Sequence, residues 1–368
     1  MFSERMTRVR TAMAAAEVDV LLLSVGPDLP WLTGYEAMPL ERLTMLVLPV
    51  DAAATLVVPR LEAPRVVERG DLFALHPWTE TEDPVAIVAD LVGPAPVAAI
   101  GDRTWARFLV DLQRRLPSTT FGRAGDVVGP IRAVKDAGEI AALRAASAAA
   151  DRVAAQLQAG EIPLVGRTEA EVSADIGRRL LAEGHHRVNF AIVAAGANAA
   201  SPHHEPGGRT IAAGEVVLCD FGGTMADGDG AGYCSDITRC VHTGPIPAEV
   251  ADVYAVLQEA QAVGVAAATV GTTCEAVDAA GRAVIAAAGY GEQFIHRTGH
   301  GIGVEEHEDP YIVSGNATPL VAGHAFSIEP GIYLPGRFGL RLEDIVVAAD
   351  AGVDPLNHAD HALIAVEA

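Results

Sequence analysis

The sequence predicts an α/β (α+β) protein of two domains, a small α/β domain over residues 1–130 and a larger one over residues 135–368. Three observations lead there. The 368 residues exceed what one ordinary core supports. Short apolar runs alternate with helical stretches up to about Val128, the pattern of a small α/β unit. Beyond Lys135, two helices followed by strands give way to the same order again, which hints at an internal pseudo-repeat.

In chain order, helical periodicity over residues 3–16 leads into an apolar strand over 18–24. Strand signals follow at 43–48 and 55–58, then at 97–100, with a helix predicted over 104–116. A long helix opens near Asp136 on strong helix formers and closes at Gly160. Thr168 with Glu171 three residues on forms a capping box for a helix over 168–183. Strands are expected at 189–194, 216–220 and 237–241, and helices at 248–269 and 273–288. The last third is strand-rich again, around 326–332 and 340–347.

Composition narrows the function. Half the residues are apolar and a fifth are charged, the profile of a globular protein. The formal net charge is -22, and Lys135 is the only lysine. Such a surface repels phosphate backbones and anionic headgroups, which argues against nucleic acid and membrane partners. The N-terminal stretch carries charges throughout and lacks an apolar signal-peptide core, so no secretion signal is expected. Cys219, Cys234, Cys240 and Cys274 show no CxxC spacing and read as small buried hydrophobes, so a reducing cytoplasm is the expected compartment.

The chemistry lies in polar residues embedded in apolar runs: Asp220 after Val217-Leu218-Cys219, Asp236 in GYCSDITR, Glu329 after Phe326-Ser327-Ile328, and Glu343 in LRLEDIVV. Each alone reads as a turn or cap residue, or as a solvated strand face. An ionised carboxylate in an apolar strand is costly unless paired, and four together ask for a shared cation. The histidine cluster HRTGHGIGVEEHEDP adds His296, His300 and His307, with Gly299, Gly301 and Gly303 permitting close backbone approach. His300 is placed to offer one imidazole nitrogen to a metal. A phosphate-cradling loop is the rival for the glycines, but the Lys-Ser/Thr of a P-loop is missing.

The segments SPHHEPGGR, VVLCDFGG, GYCSDITR, HRTGHGIGVEEHEDP, SIEPGIY and GLRLEDIVV resemble the M24 metallopeptidases, the pita-bread fold of Xaa-Pro aminopeptidases, Xaa-Pro dipeptidases and methionine aminopeptidases. The N-terminal part, with WLTGYEAMPLERLTMLVLP, is similar to the creatinase-type domain of the Xaa-Pro-cleaving members. The resemblance implies two divalent ions, held by Asp220 through both oxygens, by Asp236 and Glu343 as bridges, and by His300 and Glu329. It makes His203 a substrate-side histidine beside His204, His296 and His307 further active-site histidines, and Arg341 the partner of a ligand carboxylate. The stretch from Asp220 to Asp236 is longer than usual, with MADGDGAG inserted, so Asp227 and Asp229 compete with Asp236 for the ligand role. Asp236 is preferred for its strand context, and the insert reads as an extended hairpin.

Hydrolysis by a hydroxide bridging the two ions follows from the resemblance, with Glu329 moving the proton and His203 and His307 stabilising the oxyanion or leaving group. The oxygen-rich donor set suits Mn(II) and is compatible with Co(II) or Zn(II). Proline-containing peptides are the implied substrates and a homodimer the implied assembly. A dipeptidase needs a cation for the substrate carboxylate, and no Lys or Arg lies between His307 and Glu329. That tilts the expectation toward an aminopeptidase, with Arg297, Arg337 or a partner's N-domain arginine such as Arg42 as candidate anchors. Competing readings are a metal-free creatinase-like hydrolase, a hydrolase of a cyclic amidine such as ectoine, and a binding protein without activity.

Overall fold

The structure, a computed structural model, describes residues 1–226, 228 and 230–367; the competing Asp227 and Asp229 lie outside the described residues. The chain forms two compact units, one of residues 1–132 and one of residues 133–226 and 232 onward.

The first unit is built on a six-stranded mixed sheet in the order Phe73–Trp78, Ala54–Pro59, Met45–Pro49, Val20–Leu23, Val97–Ile100 and Thr120–Arg123. Both hydrophobic runs predicted near residues 45 and 55 are strands, because a polar turn between them lets Leu46 pair with Leu56. Helix Pro84–Val92 starts on Asp83, whose carboxylate accepts from the N–H groups of Val85 and Ala86. Its Val88 packs with Val20, Leu22 and Val47 and with Phe108 and Leu112 of helix Ala106–Arg115.

In the second unit, helix Ala137–Gln158 begins on Asp136 and helix Glu169–Ala182 on Thr168, each closed by a reciprocal capping box. These helices cover a sheet ordered Ile364–Val366, Ile237–Thr243, Val216–Met225 and Arg187–Ala195. A second sheet runs Glu308–Ile312, Gly299–Gly301, Ala325–Ile328, Asp344–Ala349 and Gly352–Pro355, and Gly331–Leu334 pairs with Phe338–Arg341 as a separate ribbon. Helices Ala248–Ala267 and Cys274–Ala287 pack near the ribbon.

Strand Val216–Met225 is buried on both faces, and its period of two decides where Asp220 points. Val217, Cys219 and Phe221 meet Val153, Leu157, Val172 and Ile176 of the first helix pair. Val216 and Leu218 meet Val253, Leu257, Ile332 and Leu340. Asp220 shares this second face, so its carboxylate turns toward the interior between the two halves of the unit. The strand runs past its expected end at 220 because Gly222 lets another chain segment lie against it: a Cβ there would stand 2.0 Å from the Ser235 carbonyl oxygen. Met225 pairs with Tyr233, so the described part of the insertion returns as a hairpin.

Two expectations are corrected. The runs 326–332 and 340–347 are not continuous strands; each breaks, the first at Glu329–Pro330 and the second at Leu342–Glu343. Pro330 has no N–H for a ladder, and the Glu329 N–H turns to Thr298 O at 2.8 Å. The chain thereby leaves the sheet for the ribbon and returns, so both glutamates sit at breaks rather than within strands.

Lys135, 1% exposed at its side chain, donates to Glu308 Oε1 at 2.6 Å. Breaking a buried pair leaves a stranded charge. Lys135→Met is expected to destabilise the protein by about 3–5 kcal/mol in urea unfolding, with most of that recovered by adding Glu308→Gln.

Candidate metal centre

Five predicted residues arrive from five separate places in the second unit. Asp220 comes from the middle of a buried strand, and Asp236 immediately precedes the strand that pairs with it. His300 is the centre of the short strand Gly299–Gly301. Glu329 and Glu343 stand at the two strand breaks, where a bridge between Thr238 and Glu343 ties the sheets together. Gly299 is required here, because a Cβ would lie 1.8 Å from the Ser327 carbonyl oxygen.

Asp236, His300 and Glu343 are buried, with one ligand atom of each within 4.8 Å of the others. His300 Nε2 lies 3.3 Å from Glu329 Oε1 and 3.8 Å from Asp236 Oδ2. His300 Nδ1 faces the Gly301 carbonyl at 3.1 Å, which can only accept, so Nδ1 carries the proton. Burial, reinforced by His307, pushes the imidazole down to about 3, so it is neutral. The bare lone pair of Nε2 therefore faces carboxylate oxygens, a contact that is repulsive unless a carboxyl proton or a metal cation sits among them.

The carboxylates have the same need. Burial is the main cause raising Asp236 and Glu343 well above the usual carboxylate range, and repulsion from each other's neighbours in the cluster adds to it. Glu329 is pushed up to about 7, first by burial, with Arg341 opposing. Among the described residues, Asp220 Oδ1, Asp236 Oδ1 and Glu343 Oε1 are buried oxygens with no hydrogen-bond partner. Orphaned buried acceptors converging with an unprotonated imidazole fit divalent cations and fit little else.

The surrounding residues set the orientation of this cluster. Arg341, buried, pairs with Asp220 Oδ2, as the resemblance implies, and Asp220 Oδ1 has no hydrogen-bond partner. Its Nε donates to Thr238 Oγ1 at 3.0 Å, and Thr238 donates to Glu343 Oε2 at 2.7 Å. Ser327 accepts from the His300 N–H at 3.0 Å and donates to Glu329 Oε1 at 3.1 Å. Thr238, Ser327 and Tyr333 were absent from the sequence reading. A signal existed for two of them: Thr238 follows Asp236, and Ser327 precedes Glu329, by two residues.

The histidines divide. His307 stacks on His300 with ring centroids 3.8 Å apart, and its Nδ1 accepts from Arg297 at 3.1 Å. His296 has both nitrogens engaged: Nδ1 faces Arg297 O at 2.7 Å and Nε2 meets the Tyr333 hydroxyl at 2.8 Å. Tyr333 in turn accepts from Arg341 at 2.9 Å. The ring is thus tied into the Arg341 network rather than free for a substrate carbonyl. His203 is exposed on the segment after strand Arg187–Ala195, close enough to act electrostatically on His296 and His307. All four cysteines are free and buried, and burial raises their thiols, so they are packing residues and not thiolates.

Fold and centre together define a metal-dependent hydrolase of the pita-bread class. The chain belongs to metallopeptidase family M24, whose model matches residues 140–350, while residues 5–134 match the creatinase/prolidase N-terminal domain. It is similar to a probable dipeptidase PepE of Mycobacterium tuberculosis, 43% identical over 99% of this chain and 96% of the relative. It is also similar to an Xaa-Pro dipeptidase of Lactobacillus helveticus, 36% identical over 93% of both chains. A crystal structure of a prolidase from Thermococcus sibiricus superimposes with a TM-score of 0.93 at 34% identity, covering 100% of this chain and 99% of that one. Divalent metal dependence follows from the family. No helix among the described residues is long and apolar enough to cross a membrane.

The raised carboxylates have a thermodynamic signature. A carboxyl held above its unfolded value stabilises the fold at low pH and loses that contribution as pH rises through the folded value. For Glu329 the window runs from its ordinary 4.5 to about 7. Chelated protein is expected to melt at a lower temperature at pH 8 than at pH 5.5, and excess divalent cation to abolish that drop; equal melting temperatures would refute the clustered charge.

Proposed function

We propose that this chain is a dinuclear metallopeptidase that hydrolyses the Xaa-Pro bond of dipeptides, with Mn(II) as its preferred ion and the cytoplasm as its compartment. The observation that carries the reading is the set of orphaned carboxylate oxygens around the unprotonated His300 nitrogen. Asp220, Asp236, His300, Glu329 and Glu343 would hold the ions, a hard donor set suited to Mn(II). Divalent ions bound there supply Lewis acidity to a carbonyl and to a water molecule.

The chain's own groups do the rest. Glu329, oriented by Ser327, would take and return the proton. Arg341 aims Asp220, and Thr238 aims Glu343. His307 and His203 would meet a peptide carbonyl or a leaving nitrogen, and His296 holds Tyr333 against Arg341.

Dipeptide selectivity replaces the earlier tilt toward longer peptides for two reasons. The similar proteins are named dipeptidase, Xaa-Pro dipeptidase and prolidase. The cation missing between His307 and Glu329 is supplied from the other side: Arg297 bonds His307, lies 4.4 Å over the Tyr311 ring, and acts electrostatically on Glu329 and His300. Its fork suits a substrate carboxylate.

Chelation is expected to abolish cleavage of Ala-Pro and Mn(II) to restore it; full activity in metal-free protein would end the dinuclear reading. Ala-Pro is expected to be cleaved well and Ala-Pro-Ala poorly. Arg297→Gln should raise KM for Ala-Pro by roughly tenfold or more, the worth of one charge-assisted contact, and equal rates on both peptides in the wild type would refute dipeptide selectivity.

A further inference from the structure

One buried carboxylate of the second unit lies outside the metal cluster and yet is joined to it. Glu169, the first residue of helix Glu169–Ala182, is fully buried. Its Oε1 accepts from the Ala195 backbone N–H at 2.9 Å and from Asn198 Nδ2 at 3.0 Å. Its Oε2 accepts from Asn198 Nδ2 at 3.1 Å and from His204 Nε2 at 2.8 Å. Because a carboxylate can only accept and each of these groups donates, the ion is satisfied by N–H groups and by the positive end of its own helix. All three donors belong to one stretch of chain, the turn that leaves strand Arg187–Ala195 and ends at His204.

That stretch is clamped from its other side as well. Gly196 takes a φ of +52°, and a Cβ there would stand 2.7 Å from Glu215 Oε1. Gly339 gives way to the Ala199 carbonyl, which a Cβ would approach to 1.9 Å. Arg341 donates to the Pro202 carbonyl at 3.2 Å while it holds Asp220. Segment 196–204 is therefore a strap drawn tight between Glu169 and the arginine of the metal cluster. The residue that strap presents is His203, exposed and with no anchor of its own among the described contacts, flanked by Pro202 and His204, which are both held.

We propose that Glu169 is a positioning residue for the reaction: through Asn198 and His204 it fixes the strap that aims His203 at the peptide. The proposal rests on the Xaa-Pro dipeptidase reading for its substrate, but not for the strap itself. Glutamine at this position keeps the shape and loses the function, because one of its two ends becomes a donor facing the donors of Asn198 and His204. A group that aligns a transition-state contact affects turnover more than ground-state binding.

The test compares wild type, Glu169→Gln, His203→Ala and the double variant, all metal-loaded, on Ala-Pro, with hydrogen exchange of the peptide spanning 195–205. Glu169→Gln is expected to speed exchange in that peptide at least tenfold while exchange in strands Val216–Met225 and Asp344–Ala349 is unchanged. Its kcat should fall about 10–100-fold, the usual cost of losing an orienting partner, with KM within about twofold. In the His203→Ala background the same change should cost less than about twofold, since two residues acting through one contact are not additive. His204→Asn, which leaves the buried carboxylate in place, should shift exchange and kcat in the same direction by less, and serves if Glu169→Gln does not fold. Unchanged exchange over 195–205, an equal kcat loss with and without His203, or a lowered melting temperature with kcat intact would each overturn the proposal. A wild type that leaves Ala-Pro uncut would defeat the dipeptidase reading, and the exchange measurement would then decide on its own whether Glu169 orders the strap.

Discussion

Mutual repulsion among buried carboxylates is the constraint on which the second unit depends. Asp236, Glu343, Glu329 and Asp220 are brought into one dry region, where an uncompensated charge costs several kcal/mol. One arginine, Arg341, offsets part of it through Asp220. The remaining demand would be met by the divalent cations that the family's chemistry implies, which would make the interior of this unit a device for holding metal. Fold stability and chemistry thus share one source, because the groups that need the ions are also those that would use them.

The scaffold answers that demand with backbone geometry. A strand buried on both faces carries Asp220 on the side away from the first helix pair. Two strands break where a glutamate must turn inward, at a proline in one case and beside a cross-sheet bridge to Thr238 in the other. Glycines stand where chains approach too closely for any side chain, as at Gly222 and Gly299. Around the cluster, the hydroxyls of Thr238, Ser327 and Tyr333 give single hydrogen bonds to Glu343, Glu329 and Arg341.

The layers outward from the centre differ in how they act. Arg341 and Thr238 fix carboxylate oxygens, whereas His296 and Tyr333 fix Arg341 itself. Arg297, resting on Tyr311 and bonded to His307, lies closer to where a substrate's far end would be. The strap from Gly196 to His204 joins these layers, since Arg341 holds one of its carbonyls and Glu169 holds its donors. On the proposed reading, a change in substrate length would be felt at Arg297 and a change in alignment at the strap.

By itself the sequence determined the residue types and the order of the centre: polar residues interrupting apolar runs announced the four carboxylates, the glycine-flanked histidine cluster announced His300, the family resemblance supplied Arg341, and helix starts were read near Asp136 and at the Thr168 capping box. Periodicity was legible wherever a segment faces one environment, as in helix Ala137–Gln158. It misread 326–332 and 340–347 as unbroken strands, because a break made by a change of hydrogen-bonding partner leaves no mark on apolar patterning. Only the tertiary structure decided which nitrogen of His300 is free, that both nitrogens of His296 are taken, and that Thr238, Ser327 and Tyr333 join the network. Those outcomes depend on distances between residues up to about a hundred positions apart, such as Thr238 and Glu343, and hydrogen-bond direction is fixed only once both ends are in place.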